Sequence, residues 1–338
     1  MKESSVKSVV WSVLPASLLI VIRSCRIALA RVRRSLFPGF LVREKWKKDQ
    51  LHCRDLHDSH KELYYRIQLS HYQRFDSFIN IINPCSYNEK VQWLKLFGQQ
   101  TEMINLCDKI KVRDYVASVV GERYLSQLYA VCNSVDKLPL DELPGCFVVK
   151  CNHDSGSVFL INDKDEADWG RIKKRLKVAL SFRHAVDSGE WPYQYITPRI
   201  LIEEHLCPKD ERPPADYKFH CVDGQVKWLQ YIFDRGFDTK EMHLTRSLER
   251  LPYQMGEAFL LSQEAFDRPS NWEEMLMVAE KLSSPFKYVR IDLYNCNGRI
   301  VFGEMTFFPR GGFYLGGDNL EFGKMMTFDL NMKNECLH

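Results

Sequence analysis

The sequence predicts an α+β protein, and three observations carry that reading. Two stretches of period-two alternation turn at Asp223-Gly224 and at Asn297-Gly298, as antiparallel hairpins do. Residues 87–97 and 271–282 repeat their apolar positions with helical spacing. The 338 residues, 45% hydrophobic and 12% aromatic, suffice for a real core in one large domain or two intimate ones.

Charge narrows the partners. The net charge of +3 is split: residues 1–48 hold eleven Lys or Arg against two Glu, leaving −6 for the remainder. A mildly acidic body argues against nucleic acid as the principal partner. The basic head points to an anionic membrane surface. Eleven cysteines without a Cys-x-x-Cys pair fit free thiols in a reducing compartment, and the ten histidines form no metal-spaced group.

In chain order, residues 8–22 are apolar but shorter than the ~20 needed to span hydrocarbon, and Pro15 weakens a helix through them. Arg23, Arg26, Arg31, Arg33 and Arg34 then lie opposite Leu18, Ile22, Cys25, Leu29, Val32 and Leu36 on a helical wheel. Residues 1–40 therefore read as an apolar, basic amphipathic segment associating with the inner face of the membrane of a cytoplasmic protein. A helix packed on the protein's own body ranks second. A secretory signal fits less well, since the charge follows the apolar run. Residues 41–77 read as a polar helical connector.

Asn83-Pro84 is a break, and amphipathic helices follow at residues 87–97 and 106–116. On the latter, Lys109 either faces an anion or pairs with neighbouring acids. Strands return at residues 127–132 and 146–151. The second delivers Lys150 to a small-residue loop with Asp154, Ser155 and Gly156, a way of building a phosphate site. A short strand at 158–161 leads to a basic helix at 163–180. Residues 198–206 form a strand carrying Glu203 and Glu204, and the hairpin at 216–229 sets Asp216, Lys218 and His220 on one face.

The last hairpin, residues 288–312, concentrates charge. Arg290, Asp292 and Tyr294 share one face of its first strand; Phe302, Glu304 and Thr306 share one face of its second. A two-residue Asn297-Gly298 loop pairs Asp292 with Gly303 and sends Glu304 to the opposite face. A three-residue loop from Cys296, with Gly298 left-handed as a bulge, pairs Arg290 with Glu304 and brings Asp292 beside them. The second register is expected, because it gathers the charges. Two carboxylates about 6 Å apart repel by roughly 3 kcal/mol at an effective dielectric near 20, so the site wants a cation, Arg290 or Mg²⁺. From this hairpin alone, an ion-paired ribbon on a solvated face is the better reading.

The ordered set Asn83-Pro84, Asn88-Glu89-Lys90, Trp93, Asp108-Lys109, Phe147 to His153, Pro198-Arg199 with Glu203-Glu204, Asp216 to Phe219, Arg290 to Tyr294 and Gly303 to Phe307 resembles the TupA-like ATP-grasp family. The resemblance covers roughly residues 78–320. It implies an ATP-grasp fold for residues 78–338, two α+β subdomains clamping ATP, with a lid at about 123–205 and a core at about 206–335. It also implies carboxylate–amine ligation through an acyl phosphate, in surface-polysaccharide synthesis, with a glycan or sugar-linked acceptor and an amine donor. By the same resemblance Lys109, Lys150, Ser155, Gly156 and Lys218 hold the ATP phosphates. Glu203 meets the adenine amino group, with Glu204 and Leu206 adjoining. Asp292 and Glu304 bind Mg²⁺ beside Thr306, and Arg290 with Lys218 stabilises the transferring group.

Two departures qualify the resemblance. Asp154 stands where the family has glycine, so either it turns outward or nucleotide binding weakens. Arg310 stands where a small residue is expected, which suggests an anionic acceptor. Three other readings remain open. Asp163 and Asp165 form an Asp-x-Asp pair of the glycosyltransferase type, though caps of the following helix explain them well. An ATP-grasp kinase acting on a sugar hydroxyl is a close variant. A non-catalytic scaffold with a degenerate nucleotide site is the third.

Overall fold

The computed structural model describes residues 38–53, 55–182, 188–206, 213–236 and 238–330. The apolar and basic stretch at 8–36, with its reading as a membrane anchor, lies outside the described residues. Among the described residues no helix is long and apolar enough to cross a membrane.

The chain divides into two compact units, one ending at Ile82 and one beginning at Asn83. In the first, helices α1 (Pro38–His52) and α2 (Lys61–Phe75) pack on each other. Trp46 meets the edge of Tyr64 at 4.8 Å, and the Tyr64 hydroxyl donates to Asp49 at 2.7 Å. Gln68 donates to and accepts from the Ile79 backbone, both at 3.0 Å, which ties the following loop to α2.

The second unit starts with α3 (Tyr87–Phe97), whose N-terminus is closed by a Ser86/Glu89 capping box. Helices α4 (Glu102–Cys107) and α5 (Val112–Val119) replace the single helix expected at 106–116. The break is made by Asp108, whose carboxylate accepts the Ile110 N–H at 2.9 Å and bends the chain there. Lys109 therefore sits on a turn rather than on a helix face.

Strands β1 (Leu128–Cys132), β2 (Phe147–Cys151), β3 (Val158–Ile161) and β4 (Ile200–Glu203) form an antiparallel sheet in the order β1-β4-β2-β3. Helix α6 (Trp169–Ser181) covers one face, burying Leu176 among Phe147, Val149, Ile161, Ile200 and Ile202. It starts at Trp169, not at 163, because Asp168 is the residue that caps it, accepting Arg171 N–H at 2.9 Å. Asp163 instead accepts the Asp165 N–H at 3.0 Å in the preceding turn.

The larger sheet has seven strands: β5 (Asp216–Val222), β6 (Gln225–Phe233), β7 (Lys240–Thr245), β8 (Arg250–Leu251), β9 (Leu260–Leu261), β10 (Tyr288–Cys296) and β11 (Arg299–Thr306). The path is β11-β10-β5-β6-β7-β8, with β9 parallel to β7. Helix α7 (Trp272–Ser283) buries one face, with Trp272 against Phe219 at 5.5 Å. On the other face Tyr87 of α3 meets His220, Trp228 and Tyr288, and Phe322 of α8 (Asn319–Met325) meets Trp228. This polar face carries the charged hairpin.

Candidate active site

The last hairpin adopts neither of the two registers weighed from sequence. Its loop has two residues, Asn297 (φ 52°) and Gly298 (φ 88°), with Cys296 opposite Arg299. Left-handed residues at both positions match the twist of the flanking strands. The pairing then slips by one between Asp292 and Leu293, because Gly303 is extra on β11. Leu293 pairs with Phe302, while Asp292 pairs directly with Glu304 and Arg290 with Thr306. The expected Arg290–Glu304 pairing is thus corrected. Phe302 also leaves the face of Glu304 and is buried with the apolar residues. A bulge, not a wide loop, brings the carboxylates to one side. A Cβ on Gly303 would lie 3.0 Å from the Tyr294 ring and 3.1 Å from the Asp292 carbonyl oxygen, so any side chain there would press on both.

Strand β5 extends the row, since Lys218 pairs with Asp292 and His220 with Arg290. Glu304, Asp292 and Lys218 therefore lie in line across three strands. Lys218 is ion-paired to Asp292, and its other acid, Asp216, lies at 3.4 Å. Arg290 grips Asp292 with two nitrogens at 2.6 and 2.8 Å and reaches Glu304 at 2.9 Å and the Thr306 hydroxyl at 3.1 Å.

Burial dominates the electrostatics, but its outcome differs between the two acids. It holds Asp292 above the usual carboxylate range despite Arg290 and Lys218. Burial also pushes Glu304 up, but Lys109, Arg290 and Lys218 together overcome it and bring that carboxyl down to about 2. Arg290 is held above its ordinary value because Asp292 and Glu304 outweigh its own burial. With Lys109, Lys218, Arg290 and Arg235 against Asp216, Asp292 and Glu304, the cluster carries one net positive charge. Such a site attracts an anion. The two adjacent carboxylates also fit Mg²⁺, which takes one or two protein carboxylates and completes its shell with phosphate and water. Among the described residues no group of three or more His, Cys, Asp or Glu forms a self-sufficient metal cage.

The smaller sheet supplies a different surface. The face turned away from α6 carries Val148 and Lys150 from β2, Val158 and Leu160 from β3, and Leu201 and Glu203 from β4, as the registers dictate, and it is open only along β3. Val158 and Leu160 are 46% and 57% exposed, an apolar floor open to a flat ligand. Lys150 is ion-paired to Glu203, which also accepts from the Ser126 hydroxyl at 3.0 Å and lies 3.9 Å from Arg113. Glu204 points elsewhere: Arg299 binds it bidentately at 2.5 and 2.9 Å, which keeps its carboxyl below the usual range. Leu206 follows it in the connection leaving β4.

Between the two surfaces lies the loop after β2. Asp154 does not face outward from this loop; its carboxylate bends back onto the Ser157 N–H at 3.2 Å and the Ser157 hydroxyl. Ser155 and Gly156 are left exposed at the tip. Lys109 donates to the Asp154 carbonyl oxygen at 2.5 Å, and its backbone N–H donates to the Asn152 carbonyl at 3.1 Å. Asn152 in turn donates to Asp108 at 2.9 Å and accepts from the Arg199 N–H at 2.7 Å. Lys109 thus stands within the field of Glu304 while fastened to the loop.

The structure gathers Arg290, Lys218, Asp292, Glu304, Thr306 and Lys109. It sets Lys150 with Glu203 on the smaller sheet, and Ser155 and Gly156 at the loop tip. Sequence reasoning set Tyr294 on the face of Asp292 without giving it a role, and passed over Tyr193, Glu190 and Tyr314. The Tyr193 and Tyr294 phenols sit in the field of Glu304, and burial drives both well above the ordinary tyrosine value. Only Tyr294 carried a signal, its alternation with Asp292; the others arrive from loops without periodicity.

The TupA-like ATPgrasp family model matches residues 89–324, well over half of the chain. No curated protein matches it. Among solved structures, D-alanine–D-alanine ligase from Bacillus anthracis complexed with ATP is 15% identical, with 61% of this chain and 55% of that one covered and a TM-score of 0.35. The ligase from Helicobacter pylori is 13% identical, with 72% and 69% covered and a TM-score of 0.35. The ATP-grasp ligase PsnB, complexed with a minimal precursor, Mg and ADP, is 13% identical, with 65% and 57% covered and a TM-score of 0.32. The chain spans little more than half the length of the Bacillus anthracis and PsnB chains. The family match, rather than these distant likenesses, fixes the ATP-grasp fold.

Proposed function

The chain belongs to the TupA-like ATP-grasp family, and from that premise we propose that it is an ATP- and Mg²⁺-dependent ligase. It joins a carboxylate to an amine through an acyl phosphate, in the making of a surface polysaccharide. The observation that carries this reading is the row Glu304–Asp292–Lys218, buried at Asp292 and Lys218 and partly open at Glu304, with Arg290 laid across it. A merely structural ion pair needs one acid and one base. Here three acids and four bases converge with a net positive charge, the complement of a magnesium-bound phosphate chain.

When bound, Mg-ATP supplies the phosphoryl group that activates the acceptor carboxylate. Asp292 and Glu304 would hold the metal, with the Thr306 hydroxyl adjacent. Arg290 and Lys218 neutralise the equatorial oxygens of the transferring group, work done by placement and charge without a protein nucleophile. Lys109 and Lys150 take the remaining phosphates, with the exposed amides of Ser155 and Gly156 at the loop tip. Glu203 accepts from the adenine amino group over the apolar floor of Val158 and Leu160, and Glu204 and Leu206 form the adjoining connection. For this, nucleotide must replace the Lys150–Glu203 pair by its own contacts.

The acceptor is a glycan or sugar-linked acid, and the protein works at the cytoplasmic face of a membrane through its N-terminal segment. The Asp-x-Asp alternative loses its motif, because Asp163 serves the turn before α6. The test is ADP release by the purified protein with Mg-ATP and extracted envelope precursors. Acceptor-dependent release that vanishes in Asp292→Asn supports the reading. Release unchanged in both Asp292→Asn and Glu304→Gln removes the metal assignment.

A further inference from the structure

The charged row on the larger sheet does not end at Lys218. Asp216 stands two residues earlier on β5, on the same face, and is buried. One of its oxygens lies 3.4 Å from the Lys218 ammonium, and the other is ion-paired to Nε of Arg235. From Arg235 through Asp216, Lys218, Asp292 and Arg290 to Glu304 the charges alternate in sign, each group in contact with the next. The Tyr294 phenol, pushed up by burial, also feels Asp216, Asp292, Glu304 and Arg235, so both ends of this chain lie close to one point.

Arg235 differs from the other members in how it is held. Strand β6 ends at Phe233, and Asp234 (φ 55°) and Gly236 (φ 83°) bend the chain on either side of Arg235. Its guanidinium lies over the Phe259 ring at 5.9 Å. Its side chain is 40% exposed, whereas those of Asp216, Lys218, Asp292 and Arg290 are no more than 10% exposed. Arg235 is therefore the solvent end of a buried chain, and its one acid in that chain is Asp216.

That contact has a consequence for Lys218. A buried carboxylate keeps its charge only when it is paired. With Arg235 in place Asp216 is satisfied, and Lys218 stays farther from it than the roughly 2.7–2.9 Å of a charge-assisted hydrogen bond. Without Arg235, Lys218 is the one cation left to Asp216 among the described residues. Asp292, the other acid on Lys218, is also assigned to the metal. An unneutralised Asp216 would then draw the ammonium toward itself and away from the phosphate.

We infer that Arg235 is a positioning residue of this site: by neutralising Asp216 it leaves the Lys218 ammonium available to the terminal phosphate. Arg235 touches neither nucleotide nor metal in this role and acts through Asp216. The inference rests on the ligase reading, which gives Lys218 to the transferring group, and adds a residue to it.

The experiment compares Mg-AMP-PNP with Mg-ADP by isothermal titration of the whole protein, because only the first carries the phosphate that Lys218 meets. Wild type should prefer Mg-AMP-PNP, and Lys218→Met should lose the preference. Arg235→Gln should weaken Mg-AMP-PNP by about tenfold or more, the worth of one charge-assisted hydrogen bond, and leave Mg-ADP within about twofold. Adding Asp216→Asn to Arg235→Gln should restore the preference, since no acid then competes for Lys218. Arg235→Lys should retain most of it. Equal weakening of both nucleotides by Arg235→Gln, as a merely structural residue would give, overturns the positioning role. A double variant no better than the single one does the same. Should Arg235→Gln fail to fold, the double variant decides: a preference kept supports the role and a preference lost overturns it. Wild-type protein that binds neither nucleotide, or both alike, overturns instead the reading of the site on which the inference stands.

Discussion

The two sheets of the second unit present different kinds of site surface. On the larger sheet Arg290, Lys218 and Asp292 have side chains no more than 10% exposed and bonded to one another before any ligand arrives. On the smaller sheet one ion pair, Lys150 with Glu203, sits above strands whose Val158 and Leu160 are open to solvent. The first surface is preorganised, with its dipoles and charges fixed at the place where charge develops. The second is mixed: its ion pair is nearly as enclosed, at 15% and 13% exposed, while Val158 and Leu160 on the same face lie open. Damage to the larger sheet should therefore strike chemistry and folding together, whereas damage to the smaller one should strike nucleotide affinity.

The sharpest break of that contrast is Asp292→Asn. It leaves Arg290 and Lys218 buried without their shared acid, so ADP release should fall by at least about a hundredfold and stability by roughly 3 kcal/mol. Urea denaturation beside the turnover assay measures both; full stability would mean that the cluster is not preorganised. Glu304→Gln separates the two effects, because its side chain is 35% exposed. Turnover should drop nearly as far, with less than about 1 kcal/mol lost in stability. Lys150→Met should raise the KM for ATP about tenfold and leave kcat within about threefold, the signature of lost ground-state binding. A kcat collapse instead would erase the distinction between the sheets.

Gly303→Ala is a milder probe. Its methyl meets Tyr294 and the Asp292 carbonyl, so about 1–2 kcal/mol of stability and several-fold in turnover should go. The smallest effect is in pH. Glu304 titrates near 2 when folded against 4.5 for the free group, so its contribution is complete above about pH 4.5 and lost as pH falls toward 2. The stability gap between the wild type and Glu304→Gln should be flat above pH 4.5 and close below it.

Much of this was legible in the sequence where periodicity speaks. The alternation of Asp216, Lys218 and His220, and of Arg290, Asp292 and Tyr294, fixed two site-facing rows that the registers reproduce. The slip at Gly303 was not legible. A bulge changes pairing without changing composition, and the same residues fit a wide loop equally well. Lys109 was misplaced on a helix because Asp108 ends α4 through its own side chain, a local bond that apolar spacing does not record. Strands β7 to β9 went unread, and so did Glu190, which lies just before a 3-10 turn and has no neighbours of matching period.

The Glu204–Arg299 bond joins the exit of β4 to the start of β11, and Gln127 adds backbone hydrogen bonds to Glu204 at 2.8 and 3.0 Å. Two plates fastened at this corner are restrained from sliding past one another there. Fluorescent labels placed on either side of that corner should report almost no separation when nucleotide enters, while a label near Val158 travels farthest. Cutting the fastening with Arg299→Ala should let the plates wander and slow every turnover that requires them to meet again in the same place.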